Sequence, residues 1–392
     1  MSQPAATCPV IDRDERKSAA IAAANVKAQP GAQVIRSFSF ARDMLRSPQV
    51  RQAGAGAEHV KLDNPEHVSV FFLDGEIHKK RRGQLARFFT PKAIKDRHMA
   101  VMTRTTQALL DELKAKGSSQ LDLMSMRLAC DVAAEIVGLS DSDPEALANR
   151  IRMTFLSIGG SKTGLPSKLL AAARTLLFFQ RDVKPAIRAR RKEPRDDVIS
   201  YCVQEGFSDK AVLIECMTYA TAGMLTTREF IVMVAWHLFE RDDLRERFLT
   251  GGEAVQNAIV EEILRLEPVA AMVHRRVVEP FVGSNGEQAK PGELYAIDMR
   301  AANTDPAATG PCPMAIDPDR ASRQRMTNSW MSFADGPHRC PGAQVALAET
   351  RVFVDALLRV PGVRLATPPT VGWCAPIMGY ELHGAIVTCD RA

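Results

Sequence analysis

Apolar residues recur at three- and four-residue intervals, with few glycines between them, over residues 100–116, 121–137, 167–191 and 210–241. That spacing predicts helices with one buried face, and from about Ile77 to Glu240 the chain reads as helical. Pro185 inside the third run predicts a helix end or a kink. Residues 254–266 form one more amphipathic pattern, stopped by Pro268. The texture then changes. Residues 273–278 and 294–299 read as short strands, with Ser284-Asn285-Gly286 and Pro291-Gly292 as turns. Residues 301–331 are irregular and rich in Pro, Asp and Arg, 343–358 return to helix, and 363–389 read as short strands broken by proline and glycine. Before about Asn64, short helical patterns alternate with Gly/Ala-rich loop. No internal repeat is visible. The predicted class is mainly α with small β-sheets (α+β), and the absence of βαβ alternation excludes a doubly wound sheet.

Composition changes this picture little. The 392 residues are 46% hydrophobic and 25% charged, which excludes disorder, collagen and a small disulfide scaffold. The formal charge of +5, from 51 basic and 46 acidic residues, is too small and too dispersed to imply nucleic acid as a partner. No stretch approaches the ~18–20 apolar residues of a membrane helix; residues 231–239 come nearest and are interrupted by His237. Residues 1–17 hold Asp12, Asp14 and Glu15 and lack the apolar core of a signal peptide. A cytoplasmic protein with no membrane partner is expected. The eight cysteines are scattered, without a C-x-x-C pair, so neither a zinc ribbon nor a thioredoxin-type site is indicated. Seven are expected to be reduced and buried; the eighth, Cys340, stands apart.

Cys340 lies in Ser332-Phe-Ala-Asp-Gly-Pro-His-Arg-Cys340-Pro-Gly-Ala, just before a predicted helix. Phe333, Gly336, His338, Cys340 and Gly342 give F-x-x-G-x-H-x-C-x-G, and here the chain resembles the cytochrome P450 family at its haem-ligand loop. Five fixed positions within ten residues make a chance match remote. A helix N-terminus favours a thiolate over a thiol, and a thiolate on haem iron favours O–O cleavage. Gly336 and Gly342 permit close backbone approach. The resemblance implies heme b (iron protoporphyrin IX) with Cys340 as axial thiolate and metal ligand, Phe333 covering the sulfur and His338 binding a propionate. Pro341 has no N–H, so one hydrogen bond to the sulfur is missing and slightly greater electron donation is expected.

Other motifs carry the resemblance from about His78 to Gly379. Glu262 and Arg265 match the family's E-x-x-R, and Arg320 falls where the family supplies a third, structural charge. His78 and Arg82, four residues apart on one helix face, resemble an H-x-x-x-R pair that donates to a propionate. Phe89-Thr90-Pro91 follows, as in the family. Arg275 resembles the propionate-binding arginine of the strand after E-x-x-R, with Arg276 one position away as the competing assignment. Ala301–Pro306 and Asp196-Asp197 fit the bacterial soluble branch. The resemblance thus implies a single haem domain over residues 1–392, with a flexible N-terminus of about residues 1–17.

Ala222-Gly223-Met224-Leu225-Thr226-Thr227 resembles the family's A/G-G-x-D/E-T-T/S in the long helix that crosses the haem. The resemblance implies that Ala222 and Gly223 leave room for dioxygen and that Thr226 hydrogen-bonds it and holds a water. The competing reading is a mid-helix threonine bonded back to the carbonyl four residues earlier. Leu225 departs from the pattern: the family has Asp or Glu there, feeding protons to the reaction, and leucine cannot. Protons are then expected through Thr226 and water, or through Glu229 one turn on.

Phe71, Phe72, Leu73, Met224, Leu225, Val269, Met272 and Ile377 are candidates for the substrate pocket, with core packing as the competing explanation for each. Their apolar character predicts a hydrophobic or aromatic small molecule. The expected activity is a haem-thiolate monooxygenase that inserts one oxygen atom from O2. A separate ferredoxin and ferredoxin reductase are the expected electron source, with Lys79, Arg87 and Arg339 flanking the docking face. Leu225 keeps open a peroxide-dependent or oxidative-coupling enzyme of the same fold. A non-enzymatic haem sensor is the remaining rival.

Overall fold

The computed structural model describes residues 14–18, 28–54, 64, 67–159, 164–326 and 329–391. Cys8 and the N-terminal segment expected to be flexible lie, up to residue 13, outside the described residues. The chain divides into two compact units, Met1–Gly54 with Asp242–Cys340, and Ala55–Arg241 with Pro341–Ala392. Helices dominate, with four small sheets among the described residues, so the mainly α class with small sheets holds.

The first unit is built on a four-stranded sheet. Gln33–Ile35 runs parallel to Leu294–Asp298, which pairs antiparallel with Met272–Val277, which in turn pairs with Val50–Ala53. The two strands read from the sequence are present, the first one residue earlier and the second one residue shorter than expected. The two early strands went unread because three or four residues are too short to show an alternation, and pairing supplies what local preference lacks. Helix Phe38–Arg46 buries Phe38, Phe40, Met44 and Leu45 into a core shared with Val277, Tyr295, Ile297 and Trp330. Phe40 meets the Tyr295 ring edge-on at 6.1 Å. Asp305 ties this helix down, its carboxylate accepting from Phe38 N at 2.8 Å.

In the second unit the helix Thr226–Glu240 is buried along almost its whole length. It packs on Leu121–Val137 and Ala343–Leu358, two helices whose bounds match the sequence pattern. Gly138 ends the first of these at φ +100°, and a β-carbon there would stand 2.6 Å from the Asp197 carboxyl. Asp197 is buried because it works twice: it accepts from Ser200 N at 2.7 Å at a helix start and from Arg190 Nε at 2.5 Å. Strands Ser118–Gln120, Ile386–Thr388 and Arg364–Thr367 form one small sheet, and Thr370–Cys374 with Gly379–His383 another.

Two long predicted helices are interrupted by π turns, at Phe179–Val183 and at Ala220–Leu225. Pro185 follows the first and cannot donate to Arg181 four residues back, so the helix widens there and resumes as Lys184–Lys192.

Candidate functional site

The cysteine loop belongs to the first unit and is shaped by backbone geometry. Cys340 N donates to Phe333 O at 2.8 Å, closing the loop on itself, and Arg339 N donates to Gly336 O at 3.1 Å. Gly336 takes φ +66°, and a β-carbon there would lie 2.2 Å from Leu45 O, so only glycine fits. Asp335 accepts from Gly336 N at 2.7 Å and from Arg46 Nε at 2.9 Å, pinning the loop to the helix Phe38–Arg46. The Cys340 thiol is half-buried and not disulfide-bonded; His338 and Phe333 are half-buried beside it in sequence.

Behind the loop, Asn303 is an organiser that the sequence did not single out. Fully buried, it accepts from Met331 N at 3.0 Å and donates to Ser332 Oγ at 2.8 Å, and Ser332 donates to Leu264 O at 2.9 Å. The run into Phe333 is thereby fixed to the helix Glu253–Leu266. On that helix Glu262 accepts two bonds from Arg265, each 2.8 Å, and one from Arg320 Nε at 3.1 Å. The remaining guanidinium donors go to the carbonyls of Asn303, Pro313 and Ala315 from Arg265, and of Thr309, Pro311, Cys312 and Ala315 from Arg320. The expected charge triad is therefore formed, buried and saturated.

The ambiguity between Arg275 and Arg276 has a geometric basis. Arg275 is buried and donates through Nη1 to Gln52 and to His274 O, whereas Arg276 is half-exposed and reaches Gly292 O at 3.1 Å. Val269 and Met272 are buried in this same unit.

The remaining predicted residues lie in the second unit. His78 is buried and Arg82 half-buried on Gly75–Leu85, while Lys79 and Lys80 are exposed. Arg81 is the unforeseen member of that basic run: it is buried, donates to Val68 O and lies over the Phe207 ring at 4.8 Å. The oxygen-helix motif sits on the π turn Ala220–Leu225, with Met224 and Leu225 buried and Ala222 exposed. The turn Ala375–Ile377 packs against it, bringing Ile377 to the same element, and Phe72 is half-exposed on Val70–Phe72. Gly342 caps the helix Ala343–Leu358.

Thr226 adopts the back-bonded geometry: its hydroxyl donates to Ala222 O at 2.5 Å, which commits the proton and leaves the oxygen lone pairs to accept. Glu229 is committed elsewhere. Its carboxylate accepts from Leu382 N at 2.8 Å and pairs with Arg228, whose guanidinium also reaches Leu382 O at 2.7 Å and Asp122 at 3.5 Å. Burial pushes the Glu229 carboxyl up to about 7 despite the arginine beside it. The group acts as a latch between the buried helix and the strand Gly379–His383, a network no local pattern announces.

The expectation of reduced cysteines needs one correction. Cys130, Cys202, Cys216 and Cys389 are buried free thiols and Cys374 a half-buried one, but Cys312 is disulfide-bonded. Burial pushes the Cys374 thiol up to about 12, so it is not a nucleophile.

A cysteine held by its own backbone in a Phe–Gly–His loop, with a buried Glu–Arg–Arg triad behind it, is the arrangement expected of a haem-ligand loop. The family model described as Cytochrome P450 matches residues 255–361. Cytochrome P450 105C1 of a Streptomyces species is 31% identical over 281 residues, covering 69% of this chain and 70% of the relative. The chain belongs to the cytochrome P450 family. It is also similar to Mycinamicin IV hydroxylase/epoxidase of Micromonospora griseorubida, 29% identical over 348 residues, 86% of this chain and 80% of that protein. The crystal structure of CalO2 shares the fold at a TM-score of 0.78 and 20% identity, covering 93% and 92% of the two chains. The protein is an oxidoreductase of the haem monooxygenase kind.

Proposed function

We propose that the protein inserts one oxygen atom of O2 into a hydrophobic or aromatic small molecule, using heme b ligated by Cys340. The observation that carries this is the closed loop in which Cys340 N bonds Phe333 O at 2.8 Å, with the thiol left half-buried rather than sealed in the core. The haem, bound through a thiolate, supplies the oxygen-activating chemistry. The chain supplies the rest. Arg275, His338, His78 and Arg82 are the donors assigned to the two propionates. Phe333 shields the sulfur from water. Thr226, its proton held by Ala222 O, positions a water by accepting from it. Met224, Leu225, Phe72, Val269, Met272 and Ile377 are the apolar side chains assigned to the substrate. Electrons come from a separate ferredoxin and its reductase, docking near exposed Arg339.

The cytoplasmic location is part of this proposal. The disulfide at Cys312, a bond that reducing compartments disfavour, is the observation against it.

The reduced protein should bind carbon monoxide with the red-shifted absorption of thiolate ligation, and Cys340→Ala should abolish it. An unshifted band in the wild type, or one that survives the substitution, ends the assignment. Apolar ligands should shift the iron spin state; a response restricted to polar acids would overturn the substrate class.

A second reading is favoured by two specific observations: Leu225 stands where the family has an acid, and Glu229 is already paired with Arg228 and Leu382 N. A peroxide-driven reaction needs fewer protons from the chain. Isotope-labelled dioxygen with a redox partner, against labelled peroxide without one, separates the readings by the source of the oxygen in the product.

A further inference from the structure

The helix Leu165–Phe178 is amphipathic the wrong way round. The face it turns inward carries Arg174, half-buried and donating to Met153 O at 2.9 Å, together with Phe178. The face it turns outward is leucine. Leu165 is 71% exposed, Leu169 62%, Leu176 57%, and Leu170 and Leu177 48% each. Spacings of four, seven and eleven residues from Leu165 put Leu169, Ala172 and Leu176 on one stripe, with Leu170 and Leu177 flanking it. A leucine alone on a surface needs no explanation, but five on one face of one helix form an unpartnered apolar ridge.

Charge indicates what covers it. From residue 165 to 192 the chain has eight basic residues and one acidic residue, Asp182. Asp182 is buried and held by Arg150 at 2.6 Å, so it does not face the surface. Of the bases, Arg190 is buried against Asp141 and Asp197, and Arg191 pairs with Asp209 at 2.7 Å. Arg181, Arg188 and Lys192 are exposed on the continuation of the same helix. The ridge is thus followed by a stretch, up to Lys192, whose exposed charges are all basic, the first exposed carboxylate being Glu193.

We propose that this outward leucine face, with the bases that follow it, is a docking surface for an anionic lipid bilayer, on which the protein lies without crossing it. Among the described residues no helix is long and apolar enough to span a membrane, and a one-sided ridge does not require it. The proposal departs from the expectation that the protein has no membrane partner. A second copy fits less well, because residues 165–192 carry no exposed acid to meet their own bases. A protein partner would need an apolar groove matched to the ridge, whereas a bilayer asks only for leucines on one side and a basic flank.

Flotation of the full-length haem protein with vesicles tests this. The protein should float with phosphatidylcholine–phosphatidylglycerol vesicles, float far less with phosphatidylcholine alone, and detach as salt rises. Leu169→Ser with Leu176→Ser should weaken binding at least about tenfold for each leucine. The thermal midpoint should fall little, because both side chains are already more than half exposed. Arg181→Gln with Arg188→Gln should weaken anionic-vesicle binding about fivefold for each charge. Failure of the wild type to float with anionic vesicles overturns the proposal, as does undiminished flotation of the leucine variant. A wild-type dimer that the leucine variant dissociates, with no flotation, would assign the face to a second copy instead.

Discussion

Glu349 is a carboxyl buried in the middle of the helix Ala343–Leu358, and its Oε1 meets no hydrogen-bond donor among the described residues. Burial, and secondarily the charge of Asp131, push it from an ordinary 4.5 up to about 8. Asp131 accepts from Thr105 at 2.8 Å and Arg127 at 3.2 Å, so those donors are already taken. A carboxyl whose folded value lies above its unfolded one binds its proton more tightly when folded. Stability is therefore intact below the unfolded value and is lost as pH rises from about 4.5 to about 8. At ~1.4 kcal/mol per pH unit the full loss is on the order of 5 kcal/mol. Glu349→Leu removes the ionisable group while keeping the site filled. Denaturant unfolding followed by circular dichroism at about pH 5, 7 and 9 should show the variant gaining on the wild type as pH rises, then levelling off. A difference that is constant across this range would refute the reasoning, since it would mean that the carboxyl is solvated or partnered.

Further substitutions test the buried charges and the position where the family has an acid. Glu262→Gln leaves Arg265 and Arg320 with carbonyl partners only, and should cost ~3–5 kcal/mol, seen as a midpoint lower by roughly 5 °C; a shift within experimental error would mean that the carbonyls alone suffice. Leu225→Asp should raise the fraction of consumed electrons that appears in product, whereas Glu229→Gln should lower stability and leave that fraction alone. The reverse pattern would return proton delivery to Glu229.

The helices 121–137 and 343–358 were legible to the residue because their apolar spacing and end signals agree with the packing they meet. The cysteine loop was legible because its chemistry is local: Gly336 must take a positive φ, and the bond from Cys340 N to Phe333 O spans only seven residues. The π turns were not, because apolar residues three and four apart look the same whether a helix is regular or carries one wide turn. Nor could the basic run 78–82 say which of its members is buried. His78 and Arg81 are, and Arg81 because Val68 O and the Phe207 ring await it.

What the sequence determined by itself is the identity of the reactive groups: a cysteine ahead of a helix, a threonine after two small residues, and a leucine where an acid is usual. Each is stated by residue type at short range. The tertiary structure decided the commitments of other polar groups: Glu229 to Arg228 and Leu382, and Asn303 to the cysteine loop. It also decided that five leucines face outward. These rest on partners distant along the chain, and a hydrogen bond or a buried face exists only once folding has brought both sides together.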